Sequence, residues 1–213
     1  MKTELLIEML ARGAHQEKRT SPWRVLFLGI GGGIFLSMTM MIITLRVNSE
    51  FLALLTNPNF LTKIAYVSTY VLIAFTSLIA VSMPGAKVKL HFRRLALPFV
   101  AISCIALLAF VDAEPALRAD LIFGQTWSVC AVLIALLSMP VFTLTLMGMK
   151  ELAPTNLTLA GAVCGLFSGA AGALVYCVHC PEVEVPFVAI WYTLGMMIPM
   201  VIGYFLGPKV LRW

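Results

Sequence analysis

The chain has 213 residues, 61% of them hydrophobic and only 12% charged, against about 25% charged in an ordinary soluble domain. That balance excludes a water-soluble globular protein and predicts an integral membrane one. The net charge of +5 is gathered in a few loops, where it suits the anionic inner leaflet and gives no ground for nucleic-acid binding.

Residues 1–24 are mostly polar and predict a short cytoplasmic segment. Thr3 suits an N-cap and Gly13 a stop. Between them Leu5, Leu6, Met9 and Leu10 share one helical face, while Glu4, Glu8 and Arg12 mark the other. Such a helix either seats its apolar face in a partner's groove or lies on the inner leaflet. The apolar run that follows is too long for the core of a cleaved leader and reads as an anchor.

Six charge-free runs follow: 25–45, 64–83, 95–111, 127–147, 157–177 and 186–206. At ~1.5 Å per helical residue each crosses, or nearly crosses, a ~30 Å hydrocarbon core. Residues 25–213 therefore predict an all-α integral membrane domain, a compact bundle of six transmembrane helices. The first run carries Gly29, Gly33 and Ser37 at four-residue spacing; the fifth carries Gly161, Gly165, Gly169 and Ala173. Small residues at that spacing let helix backbones approach closely, and packing is their expected role. Pro98, Pro140 and Pro199 fall inside three other spans, where kinks are expected. The loops at 49–56 and 115–123 hold apolar clusters that predict short interfacial helices. Trp127, Trp191 and Tyr192 predict an aromatic belt near the same surface.

Six spans put both termini on one side. Of the 15 Lys and Arg residues only Arg46, Lys63 and Arg118 fall on the other side, whose loops are net acidic. The positive-inside rule then makes both termini cytoplasmic. No charge falls within a charge-free run, so the buried acid or base usual in ion-coupled transporters is not expected; a passive small-solute carrier stays open as an alternative. No phosphate loop or catalytic metal motif is present, and neither an enzyme nor a cofactor is expected.

Two polar stretches stand at outer span ends: Gly-Gln-Thr-Trp-Ser-Val-Cys at 124–130 and Tyr-Cys-Val-His-Cys-Pro-Glu at 176–182. They bring Cys130, Cys177, His179, Cys180 and Glu182 to one compartment, which in a bacterial periplasm permits disulfides. If the fourth and fifth spans are neighbours, Cys130 and Cys180 come within disulfide range. Cys177 and Cys180 have C-x-x-C spacing, which suits redox chemistry or a metal; His179 would tune a thiol or act, like Glu182, as a ligand. A static disulfide and unconnected thiols are the plainer readings. A membrane thiol–disulfide oxidoreductase is a competing active one. Cys104 and Cys164 lie mid-span as small buried hydrophobes.

These residues also carry a likeness. Gly124-Gln125-Thr126-Trp127 with Cys130, Ser138 with Pro140, Leu152-Ala153-Pro154-Thr155, the glycines of the fifth span, Tyr176 with His179-Cys180-Pro181-Glu182, Phe187 with Trp191-Tyr192 and Gly195, and Leu211-Arg212-Trp213 resemble the NrsF family. Its members are six-span inner-membrane anti-sigma factors of Proteobacteria. The likeness covers nearly the whole chain and is best from residue 121. It implies that the inner face, chiefly the N-terminal segment, holds a sigma factor of the extracytoplasmic-function type; Leu5, Leu6, Met9, Leu10 and Arg12 are then the expected contacts, with the basic loop 87–94 assisting. It implies further that Cys130 and Cys180 are needed for signal response; their chemistry makes an oxidant or a thiophilic metal the expected signal. Cys177 departs from the family pattern, standing where a small apolar residue is expected. Pairings of Cys177 with Cys180 or Cys130 therefore stay open.

Overall fold

A computed structural model describes residues 21–83 and 89–212. The N-terminal helix expected to carry Leu5, Leu6, Met9, Leu10 and Arg12, and residues 84–88 of the basic loop, lie outside the described residues. Among the described residues all regular structure is helical. Six long helices are apolar enough to cross a membrane: α1 (Pro22–Thr44), α3 (Pro58–Ser82), α4 (Lys89–Asp112), α6 (Trp127–Glu151), α7 (Leu157–Tyr176) and α9 (Thr193–Val210). Short helices α2 (Phe51–Leu54) and α5 (Arg118–Phe123) fill the two apolar loops. A single turn α8 (Val185–Phe187) and a π-helical turn Val188–Tyr192 lead into α9.

Helix α7 is the axis of the bundle. It packs on α9, α6 and α3; α1 lies along α6, and α4 sits outside against α3. Of the apolar stretch of α7, 83% is buried, against 17% for α4. The four-residue glycine spacing explains the difference. Lipid tails are as apolar as leucine, so helices in a bilayer gain little from burying large side chains and much from close backbone contact. Gly161 of α7 meets the backbone of Gly203 and Gly207; Gly165 meets Pro199 and Met200; Gly169 meets Met196. On another face of α7, a Cβ on Gly172 would stand 2.8 Å from the Ser138 nitrogen of α6. The α1–α6 seam uses the same device. A Cβ on Gly29 would lie 2.8 Å from the Leu144 carbonyl oxygen, and one on Gly33 2.7 Å from the Val141 Cα. Ser37 continues that stripe and donates to the Leu137 carbonyl at 2.7 Å.

These seams fix which helix ends meet. Leu26 of α1 packs on Gly148 of α6, and Leu157 of α7 on Gly207 of α9, so the start of α1 and the end of α9 share one end of the bundle. Residues 45–57, 113–126 and 177–184 gather at the other.

Three expectations are corrected. First, α3 begins at Pro58, six positions before the charge-free run. Asn57 caps it, its Oδ1 accepting from the Asn59 amide at 2.9 Å, and proline suits the first helical position. Lys63 is thereby drawn inside a span, where it is 1% exposed; a charge does lie buried in a membrane helix. Second, Cys104 is exposed on α4 rather than buried, because so little of α4 packs inward. Third, Tyr192 is fully buried and no belt residue, since the π-helical turn carries it inward. Trp127 remains 43% exposed, as a belt residue should. Helices α4, α6 and α9 run on through Pro98, Pro140 and Pro199.

Replacing Gly165 by valine should therefore lower the thermal midpoint of the purified protein in detergent sharply, since overpacking typically costs about 1–3 kcal/mol and more where backbone blocks the way. Gly31→Ala is the control: nothing lies within 4 Å of its added Cβ, and its melting curve should match the parent's.

Candidate functional site

Cys130 lies in the first turn of α6 and Cys180 four residues past the end of α7. The α6–α7 seam sets these two ends side by side. Both residues are 0% exposed, and both are free thiols that lie beside each other. Cys177, at the C-cap of α7, is also buried and lies close by. The structure thus brings together all three thiols expected on this side. Cys164 is buried in the middle of α7.

Lys63 closes the cluster from α3. Its ammonium donates to the carbonyls of Cys180 at 3.1 Å and Glu182 at 2.8 Å. It also stands over the rings of Tyr192 and Phe60, 5.0 and 5.5 Å from their centroids. Burying an ion costs several kcal/mol. Two charge-assisted hydrogen bonds, at about 1.5–3 kcal/mol each, and two cation–π contacts offset a cost of that size. Among the described residues no carboxylate pairs with Lys63. Tyr192 contributes a hydroxyl that is buried without a nitrogen or oxygen partner and faces the thiols of Cys177 and Cys180. The next residue, Thr193, shares a 2.6 Å hydrogen bond with the Tyr66 hydroxyl, tying α9 to α3 just beneath.

A cap of loop contacts covers the thiols. Arg46, in the left-handed region at φ 65°, turns the chain out of α1. Its carbonyl accepts from His179 Nδ1 at 2.9 Å, and the Asn48 amide donates to the Val178 carbonyl at 3.2 Å. The Glu182 carboxylate accepts from the Gln125 amide at 2.7 Å and from the Thr126 hydroxyl at 3.4 Å. Gly124 makes this clasp feasible: its φ is +49°, and a Cβ there would stand 2.6 Å from Glu182 Oε2. Trp191 Nε1 donates to the Ile122 carbonyl at 2.8 Å, holding α5 to the π-helical turn.

Expected auxiliary residues thus divide. Cys177 joins the thiols, whereas His179 and Glu182 are spent on the cap. Among the described residues no group of three His, Cys, Asp or Glu side chains stands ready to hold a metal. Lys63 and Tyr192 are the members sequence reasoning missed. The Asn-Pro pair at 57–58 was the available signal for Lys63, because it starts the helix early enough to carry the lysine inside.

The thiols outside the spans differ electrostatically. The neighbouring Cys130 thiol, assisted by Lys63, holds Cys180 below the ordinary thiol range against the opposing effect of burial. Burial instead pushes Cys177 up to about 11, with Lys63 opposing. Adjacent cysteines thus receive opposite treatment, and Cys180 is the one prepared to ionise.

Comparison with known proteins gives a consistent result. A family model described as "Negative regulator of sigma F" matches residues 10–213. The chain is 42% identical over 213 residues to the probable anti-sigma-F factor NrsF of Azospira oryzae, covering 100% of both chains. It is 31% identical over 216 residues to the anti-sigma-F factor NrsF of Caulobacter vibrioides, again covering 100% of both. No solved structure matches.

Two outcomes follow from the site. A buried acid whose folded pKa is raised favours the native state only while protonated, so the contribution of Cys177 falls as pH climbs from the ordinary thiol value towards 11. Between pH 9 and 11 the parent should lose more thermal stability than Cys177→Ala; parallel losses would contradict the assignment. Glu182→Gln, which weakens a charge-assisted clasp, should cost about 1–2 kcal/mol, read as a lower melting temperature at neutral pH.

Proposed function

The chain belongs to the NrsF family of negative regulators of sigma F, and we propose that it is an anti-sigma factor of the bacterial inner membrane whose outer thiols govern release of its partner. In this reading both termini are cytoplasmic. Residues 1–24, through Leu5, Leu6, Met9, Leu10 and Arg12, and the basic stretch 87–94, which runs into the start of α4, hold an extracytoplasmic-function sigma factor. The thiol cap faces the periplasm. The strong Lys and Arg bias towards the end of the bundle that bears Pro22 and Val210 supports that orientation.

The observation that carries the reading is the burial of Cys130 and Cys180 beside each other as free thiols, in a chain matched to this family along its length. Two neighbouring thiols can form a disulfide without any further ligand. His179 and Glu182 are already engaged elsewhere, so oxidation is favoured over metal capture. Burial beneath the cap keeps out a protein-sized dithiol, which argues against an oxidoreductase serving protein partners.

A disulfide between the start of α6 and the segment after α7 would constrain the two helices that share the central seams. Its worth sets the scale of the response. Near-complete release needs sigma affinities differing by about 10⁴-fold, about 5.5 kcal/mol, whereas a disulfide contributes ~2–4 kcal/mol. Oxidation alone should therefore give graded release.

The test uses full-length protein in membrane vesicles with the sigma factor bound. Hydrogen peroxide should release part of the sigma factor from the parent and none from Cys130→Ser, Cys180→Ser or the double variant, all of which should still bind it when reduced. Equal release from parent and double variant would sink the thiol switch. Failure of the reduced parent to retain any sigma factor would sink the anti-sigma reading.

A further inference from the structure

Among the described residues no carboxylate pairs with the buried Lys63 ammonium, so it is free to favour an anion among its other neighbours. The polar partners of Lys63 are two carbonyls, which supply dipoles but no net charge. Among the described residues the ionisable groups around it are the thiols of Cys130, Cys177 and Cys180 and the hydroxyl of Tyr192, with the Tyr176 hydroxyl beside the same thiols. Glu182, whose own carbonyl Lys63 grips, turns its carboxylate away to the Gln125 amide. His179 turns to the Arg46 carbonyl. The site thus holds one cation and, for its balancing anion, a choice among weak acids.

We propose that Lys63 is a positioning residue for the thiol reaction: it keeps Cys180 as the thiolate, so that Cys180 meets the oxidant first and Cys130 resolves it. Geometry distinguishes the three cysteines. The Lys63 ammonium grips the carbonyl of Cys180 itself, fixing that residue beside the charge. Cys130 lies beside Cys180 as a thiol able to donate to it, and the Tyr192 hydroxyl, without a hydrogen-bond partner among the described residues, is a second available donor. The lowered pKa of Cys180 and the raised one of Cys177 agree with this order.

The step balances with a hydroperoxide as oxidant. The Cys180 thiolate attacks the peroxide's distal oxygen; the sulfur–oxygen bond forms as the oxygen–oxygen bond breaks. The alkoxide leaves and takes a proton from water, giving an alcohol and Cys180 sulfenic acid. The Cys130 sulfur then attacks the Cys180 sulfur. Hydroxide leaves with the Cys130 proton as water, and the disulfide remains. Two electrons pass from the thiol pair to the peroxide.

This inference rests on the proposed thiol switch but is tested apart from sigma binding. The thiolate absorbance at 240 nm of full-length protein in nanodiscs, less that of Cys180→Ser, reports the Cys180 titration. The parent should show a midpoint well below the free-thiol value of ~8.5. Lys63→Met should move it upward by about 1–3 units, the usual effect of removing a close opposite charge, and Lys63→Arg should largely restore it. The pH profile of peroxide-driven Cys130–Cys180 disulfide formation should move by the same amount. A profile and midpoint unmoved in a folded Lys63→Met would overturn the role. Should that variant fail to fold, the parent titration decides, since a midpoint at or above ~8.5 overturns the proposal. A low midpoint in a protein that oxidises without releasing sigma would leave Lys63 standing and refute the switch instead.

Discussion

Backbone-to-backbone contact along α7 is the constraint on which the rest of the molecule depends. In a bilayer, water does not drive apolar side chains together, so close approach must supply the adhesion. Glycines 161, 165 and 169 give α7 that approach to α9, and Gly172 gives it to α6. Because these seams fix the axial position of three helices, they also fix which residues meet at the helix ends. The thiol pair is a product of that registry: Cys130 begins one helix of the seam and Cys180 follows the end of another.

The outer end then solves a problem the seams leave behind. Helices close enough to touch through glycine leave little room for loops, and every loop amide and carbonyl between them must find a partner. The cap does this with few side chains. Glu182 collects donors from 125–126, His179 takes a carbonyl from the turn after α1, and Lys63 serves two carbonyls beyond α7. Lys63 thus joins structure to chemistry: the group that satisfies the loop backbone also sets the charge around the thiols.

Much of this was legible in the residues and some was not. Charge segregation located all six spans, because an unpaired charge in hydrocarbon is too costly to be common. The same logic hid Lys63. Starting a span after its nearest charge assumes that charges stay out, which fails where a helix start is marked by Asn57-Pro58 and the lysine has carbonyls to reach. Small-residue spacing pointed to the seams but could not say which helix faced which stripe. Tyr192 read as a belt residue because its inward turn depends on a π-helical step, for which periodicity offers no signal. Cys130 and Cys180 were accessible through pattern and resemblance. That Cys177 and Cys180, three residues apart, ionise so differently depends on their burial and neighbours, which spacing does not encode.

The close fit of α7 to α9 also bears on how the chain is built. Of the six spans α7 is the least apolar and the most enclosed. It leaves the ribosome before the residues of α9 that cover its glycine face exist. For that interval the exposed backbone stripe has only lipid and the earlier helices α3 and α6 beside it. The bundle is therefore completed late, by a helix that must enter the membrane and lock onto a waiting surface. A chain cut short before residue 193 would leave that glycine surface without the helix that covers it.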